Sequence, residues 1–104
     1  MCGRYVITNP VSKTQKIVKT SIKVEDKDNY NAHPYQNLAV IKKYTNGNTI
    51  ENLKWGIAPS WIKKKNFKAL INARLETIDE KFSFKKLIKL KRCIVVADGF
   101  YEWK

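Results

Sequence analysis

Leu38-Ala39-Val40-Ile41-Lys42-Lys43-Tyr44-Thr45-Asn46-Gly47-Asn48-Thr49-Ile50-Glu51-Asn52-Leu53-Lys54-Trp55-Gly56-Ile57 decides the fold of this chain. Leu38 to Tyr44 and Thr49 to Ile57 are two β-prone runs, rich in apolar and aromatic residues. Asn46-Gly47 between them is a hairpin signal, because both central residues of a type I′ turn need positive φ. The stretch therefore predicts an antiparallel pair of strands with Asn46-Gly47 at its tip.

Upstream, residues 2–8 alternate, with Cys2, Arg4, Val6 and Thr8 on one face and Gly3, Tyr5 and Ile7 on the other. That period of two predicts a strand with Cys2 and Arg4 side by side. Asn9-Pro10 ends it. Ser12 and Gln15 form a capping-box pattern, which predicts a short helix from Lys13 to about Thr20. Glu25 to Asn29 reads as a polar connection. Tyr30-Asn31-Ala32-His33-Pro34 reads as irregular, because Pro34 biases His33 away from helix.

Downstream, Ala58 to Trp61 reads as a loop and Lys63-Lys64-Lys65 as a solvated run. Thr77 and Glu80 predict a helical turn. The spacing of Phe84, Leu87 and Ile88 among lysines predicts an amphipathic helix from about Ser83 to Lys91. Cys93 to Ala97 is continuously apolar and predicts a buried strand, with Cys93 a small core residue. Asp98-Gly99 is a second tight-turn signal. Trp55 and Trp103 are expected in the core. Strands dominate and both clear hairpins are antiparallel. The expected fold is α+β and β-rich, a curled, barrel-like antiparallel sheet with short inserted helices.

Composition bounds the function. A chain of 104 residues fits one domain, 1–104. Lysine plus arginine is 21 against nine acids, a net charge of +12. Such an excess in a small domain points to a polyanion, nucleic acid before anionic membrane, against the plain alternative of a generic basic surface. No apolar stretch reaches the roughly 18 residues that span a bilayer. The residues after Met1 lack the apolar core of a signal peptide, so the expected location is cytoplasmic or nucleoid-associated. Cys2 and Cys93 do not make a disulfide framework there. With His33 the only histidine, no Cys/His cluster has zinc-ligand spacing, so neither metal nor cofactor is expected.

Met1-Cys2-Gly3-Arg4-Tyr5 carries a distinct chemistry. If Met1 is removed, Cys2 presents an α-amine and a thiol on adjacent carbons. Free groups of both kinds titrate close enough to neutrality to react. The amine can condense with an aldehyde and the thiol can close on the imine carbon. The product is a five-membered thiazolidine, which an internal cysteine cannot make. An ordinary residue after the initiator Met is the plain alternative.

Four separated stretches resemble one family in its own order. They are Met1-Cys2-Gly3-Arg4-Tyr5, Trp55-Gly56-Ile57-Ala58-Pro59-Ser60-Trp61, Ile71-Asn72-Ala73-Arg74-Leu75-Glu76-Thr77 and Ala97-Asp98-Gly99-Phe100-Tyr101-Glu102-Trp103-Lys104. The family is the SOS response-associated peptidase (SRAP) domain, whose members shield abasic sites in single-stranded DNA. The resemblance implies that Cys2 crosslinks to the aldehyde of an abasic site. It implies that Asn72 positions the cysteine and the opened sugar, and that Glu102 is the general acid/base. Taken without the motifs, Asn72 is a capping or turn residue and Glu102 a solvent-facing strand carboxylate. The resemblance further implies phosphate contacts by Arg4 and Arg74, base stacking by Trp61, and a supporting part for Asn31.

Two departures stand out. His33 occupies the alanine position of the family's N-x-A-P block and reads as a partly exposed loop residue. Family members are also about twice as long, and their C-terminal half carries an H-x-R-M-P-like motif. The chain accordingly resembles an N-terminal half, and self-association or a partner supplying the other half is expected. Two rivals stay open: a self-processing cysteine peptidase acting through Cys2, and a non-catalytic module that binds single-stranded nucleic acid.

Overall fold

The computed structural model describes residues 2–18, 21–58 and 70–104. They fall into two compact units, Met1–Trp55 with Cys93–Lys104, and Gly56–Arg92. Seven strands and three short helices occur among the described residues, an α+β, β-rich fold as expected. Its strands form two sheets that are not closed into a barrel.

The hairpin is the longest element of the first unit. β4 (Asn37–Tyr44) and β5 (Gly47–Lys54) pair antiparallel without a break from Asn37↔Lys54 to Tyr44↔Gly47. The turn is therefore Thr45-Asn46, one residue earlier than predicted. Gly47 opens the return strand with φ 137°, a conformation that a Cβ would strain.

Both faces of β4 are covered, which explains its continuous apolar run. Leu38 joins a core with Tyr5, Ile7 and Ala32, against which Trp55 packs. Ile41 lies opposite Ile50 in a second core with Val18. Alternation along the strand places Leu38 and Ile41 on opposite faces. Val96 packs against both cores. Ile50 is wholly buried, and burying a side chain of that size contributes about 1.5–3 kcal/mol.

β2 (Ser21–Ile22) runs parallel to β5, and β6 (Ile94–Val95) adds to β4, giving the order β2-β5-β4-β6. The second sheet has the order β3-β1-β7, with β1 (Tyr5–Ile7) between β3 (Asn29–Ala32) and β7 (Gly99–Phe100). β3 replaces the irregular stretch expected from Tyr30. Its asparagines have little strand preference of their own, and pairing with β1 supplies the order.

Helix α1 runs Pro10–Thr14 rather than from Lys13. Asn9 takes a left-handed conformation and Pro10 starts the helix with its fixed φ. Ser12 does not cap. Its hydroxyl donates to Asp26, whose carboxylate also accepts the Val11 N–H at 2.9 Å. An anion at the helix start does the work assigned to a local cap.

The strand expected to be buried after Cys93 is an edge strand instead. Ile94 and Val95 are 63% and 53% exposed, and Cys93 is exposed rather than in the core. Trp103 is fully exposed, whereas Trp55 sits 5.8 Å from the Tyr5 ring.

In the second unit, Ile57 and Leu70 exchange backbone hydrogen bonds of 2.8 and 2.9 Å. The Thr77 carbonyl accepts from Glu80 and Lys81, both at 3.0 Å, which forms the helical turn expected there. The single amphipathic helix expected next is two, α2 (Phe82–Lys85) and α3 (Leu87–Leu90), meeting at Lys86.

Candidate functional site

Four of the sequence-predicted site residues, Cys2, Arg4, Asn31 and Glu102, lie on or next to the strands that pair around the N-terminal end of β1. Tyr5 pairs with Ala32 on one side and with Phe100 on the other. Pairing continues one step beyond the strand, since the Tyr101 N–H donates to the Arg4 carbonyl at 3.0 Å. Asn31 therefore adjoins the partner of Tyr5 on β3, and Glu102 follows the partner of Arg4 beyond β7.

Cys2 is half-buried, and its thiol donates to the same Arg4 carbonyl at 3.1 Å. One carbonyl thus anchors both the thiol and the segment that carries Glu102. Arg4 is exposed, and its guanidinium gives one N–H to the Gly3 carbonyl at 3.0 Å. A guanidinium has five donors, so this contact leaves capacity for phosphate oxygens.

Asn31 is exposed, and its backbone N–H donates to the Asn29 side chain at 3.0 Å. Tyr101 reaches across with its hydroxyl and donates to the Tyr30 carbonyl at 3.1 Å. That bond spans from the β7 side to the β3 side and holds the Glu102 segment to the strand bearing Asn31. Glu102 itself is exposed.

Beneath the site, Tyr5 is buried and its phenol is pushed up to about 12. Burial is the main cause, followed by repulsion from the nearby Cys2 and Cys93 thiols in their negative form. Tyr5 therefore stays neutral in its core.

His33 is half-buried, as expected of a partly exposed loop residue. Its ring Nδ1 lies 2.9 Å from the Pro34 carbonyl, to which it donates. That contact directs one ring nitrogen into its own loop.

Asp98 was legible only as a turn residue, yet it secures the opposite end of β1. Its carboxylate accepts the Thr8 hydroxyl at 2.9 Å, the Thr8 N–H and the Lys13 ammonium. Its own N–H donates to the Val6 carbonyl at 2.8 Å. The Lys13 bond, then the Thr8 N–H, holds the carboxyl below the usual carboxylate range. Asp98 so fixes where β7 starts, and with it the register of Tyr101 and Glu102. Nothing local signals this, because Thr8 and Asp98 are 90 residues apart.

Asn72 is half-buried and Arg74 exposed, and both belong to the second unit. Trp61 lies outside the described residues. An open groove of about 590 Å³ at the Ile7 end of β1 is lined by Ile7, Asn29, Gln36 and Leu38, among others, and excludes Cys2 and Glu102. Among the described residues no group of three or more His, Cys, Asp or Glu could hold a metal ion, and no helix is long and apolar enough to cross a membrane.

The sequence belongs to a known class. The model of the SOS response associated peptidase (SRAP) family matches residues 1–104, and the chain belongs to that family. Over 109 aligned residues it is 39% identical to abasic site processing protein YoqW of Bacillus subtilis (strain 168), covering 100% of this chain and 48% of that protein. It is 38% identical to abasic site processing protein YobE of the same organism, again across 100% of this chain and 49% of the relative. Abasic site processing protein HMCES of Mus musculus is 49% identical over 57 residues, 50% of this chain and 16% of that protein. The chain spans about half the length of the Bacillus relatives it matches.

Proposed function

We propose that this chain acts in the response to DNA damage by binding single-stranded DNA and crosslinking to abasic sites through Cys2. The observation that carries the reading is the Cys2 thiol, half-buried and anchored 3.1 Å from the carbonyl that also fixes the Glu102 segment. Membership of the SRAP family and relatives named abasic site processing proteins support it.

The chemistry runs in two steps once Met1 is removed, a condensation and then a ring-closing addition. The Cys2 α-amine attacks the aldehyde carbon of the opened abasic sugar, and loss of water leaves an imine. The thiol sulfur then bonds to the imine carbon, its proton passes to the nitrogen, and the thiazolidine ring closes. Glu102 carries protons to and from the sugar and the imine nitrogen. Asn72 orients the cysteine and the opened sugar. Arg4 and Arg74 hold flanking phosphates, Trp61 stacks on a base, and Asn31 supports the strand beside the thiol.

Peptide mapping tests the assignment. Protein reacted with an abasic single-stranded oligonucleotide is digested with nuclease and trypsin. The adduct is expected on the Cys2-Gly3-Arg4 peptide, without Met1. An adduct on lysine-bearing peptides, or one that retains Met1, contradicts the mechanism.

A further inference from the structure

Charge is unevenly spread over the chain. Residues 56–92 hold 11 of the 21 lysines and arginines and three of the nine acids, a net of +8 out of +12. Within that unit the acids are Glu76, Asp79 and Glu80. From 81 to 92 there are six cations, Lys81, Lys85, Lys86, Lys89, Lys91 and Arg92, and no acid. All six are exposed.

These cations are mounted on ordered backbone. Lys81 closes the Thr77 turn, the Lys85 N–H donates to the Lys81 carbonyl at 2.9 Å, and the Lys91 N–H donates to the Leu87 carbonyl at 2.8 Å. Phe84, Leu87 and Ile88 are half-buried between them. The Lys86 ammonium stands 5.7 Å from the Phe82 ring centroid. Lys86, in right-handed helical conformation where α2 meets α3, and Lys89 on α3 are spaced as i and i+3, about 5–6 Å between Cβ atoms. That is close to the step between successive phosphates of an extended single strand.

We propose that residues 81–92 form a phosphate-tracking surface for single-stranded nucleic acid, separate from the residues that do the covalent chemistry. The inference rests on the reading of this chain as a single-strand binder but not on Cys2. A nucleic-acid strand fits better than a membrane surface. The helix breaks at Lys86 into two four-residue pieces, which cannot present the continuous apolar face that an interfacial helix buries.

The test is binding of the full chain to an intact single-stranded oligonucleotide, without any abasic site, across a salt series. The variant combines Lys81→Gln, Lys85→Gln, Lys86→Gln and Lys89→Gln. Each lost phosphate contact removes about 0.7 from the slope of log affinity against log salt for single strands, so the slope should fall by about 2–3. The matching lysine-to-arginine variant should keep the wild-type slope. If the glutamine variant fails to fold, the four single substitutions are measured instead, each expected to lower the slope by about 0.7. An unchanged slope in folded variants overturns the proposal. So does loss of binding to vesicles containing phosphatidylserine with no change on the oligonucleotide. A reduced slope in protein that forms no abasic adduct would sink the Cys2 mechanism and leave this surface standing.

Discussion

The two ends of β1 are built differently. At its C-terminal end, Thr8 and Lys13 converge on Asp98, the Asn9 N–H donates to Asp28 at 2.9 Å, and α1 starts against Asp26. At its N-terminal end, Arg4, Asn31 and Glu102 are exposed and the Cys2 thiol donates to the Arg4 carbonyl. Acidic side chains from distant loops tie one end shut, and the other leaves Arg4, Asn31 and Glu102 exposed. The difference separates the ends: the tied end sets register, and the open end carries residues of the proposed site.

Substitutions should respect that division. The largest effect on stability is expected far from both ends, at Ile50. Ile50→Ala leaves a cavity where the β4–β5 sheet meets Val18 and should cost about 2–5 kcal/mol, read by denaturant unfolding. Little change in unfolding would mean that the hairpin is not the stabilising centre.

Next comes the tied end. Asp98→Asn keeps the shape but removes the charge that Lys13 and Thr8 address, so the melting temperature should fall by less than for Ile50→Ala. The effect should depend on pH with a definite sign. A carboxyl held below its usual range binds fewer protons folded than unfolded, so its contribution is complete above the ordinary carboxylate range. It is lost as pH falls through the lowered folded value. Wild type and Asp98→Asn should therefore converge in stability in acid and separate toward neutrality. A gap independent of pH would mean that the Asp98 charge does not hold this end of β1.

Much of this was legible from local pattern, and the failures share one cause. The hairpin could be read because both strands are β-prone and the turn residues lie between them. β3 could not, because Asn29 to Ala32 acquires strand geometry only from β1. The Ser12 cap failed for the same reason, since its place is taken by Asp26 from another loop. The apolar run after Cys93 reads as buried, but a continuous run carries no information about what covers it. At the candidate site, Cys2, Arg4, Asn31 and Glu102 come from motifs; Asn31 lies on β3, and the other three lie in segments that extend from β1 and β7. Asp98 and Tyr101, which hold that arrangement, act through bonds to residues too distant for a motif to show.

Cys2 gives the most direct measurement. Cys2→Ala and wild-type protein are incubated with abasic and with intact single-stranded DNA, run on a denaturing gel, and melted in parallel. The account predicts a denaturation-resistant adduct only for wild type on abasic DNA, with the same melting temperature for both proteins. A Cys2→Ala protein that forms the adduct as well as wild type would contradict it.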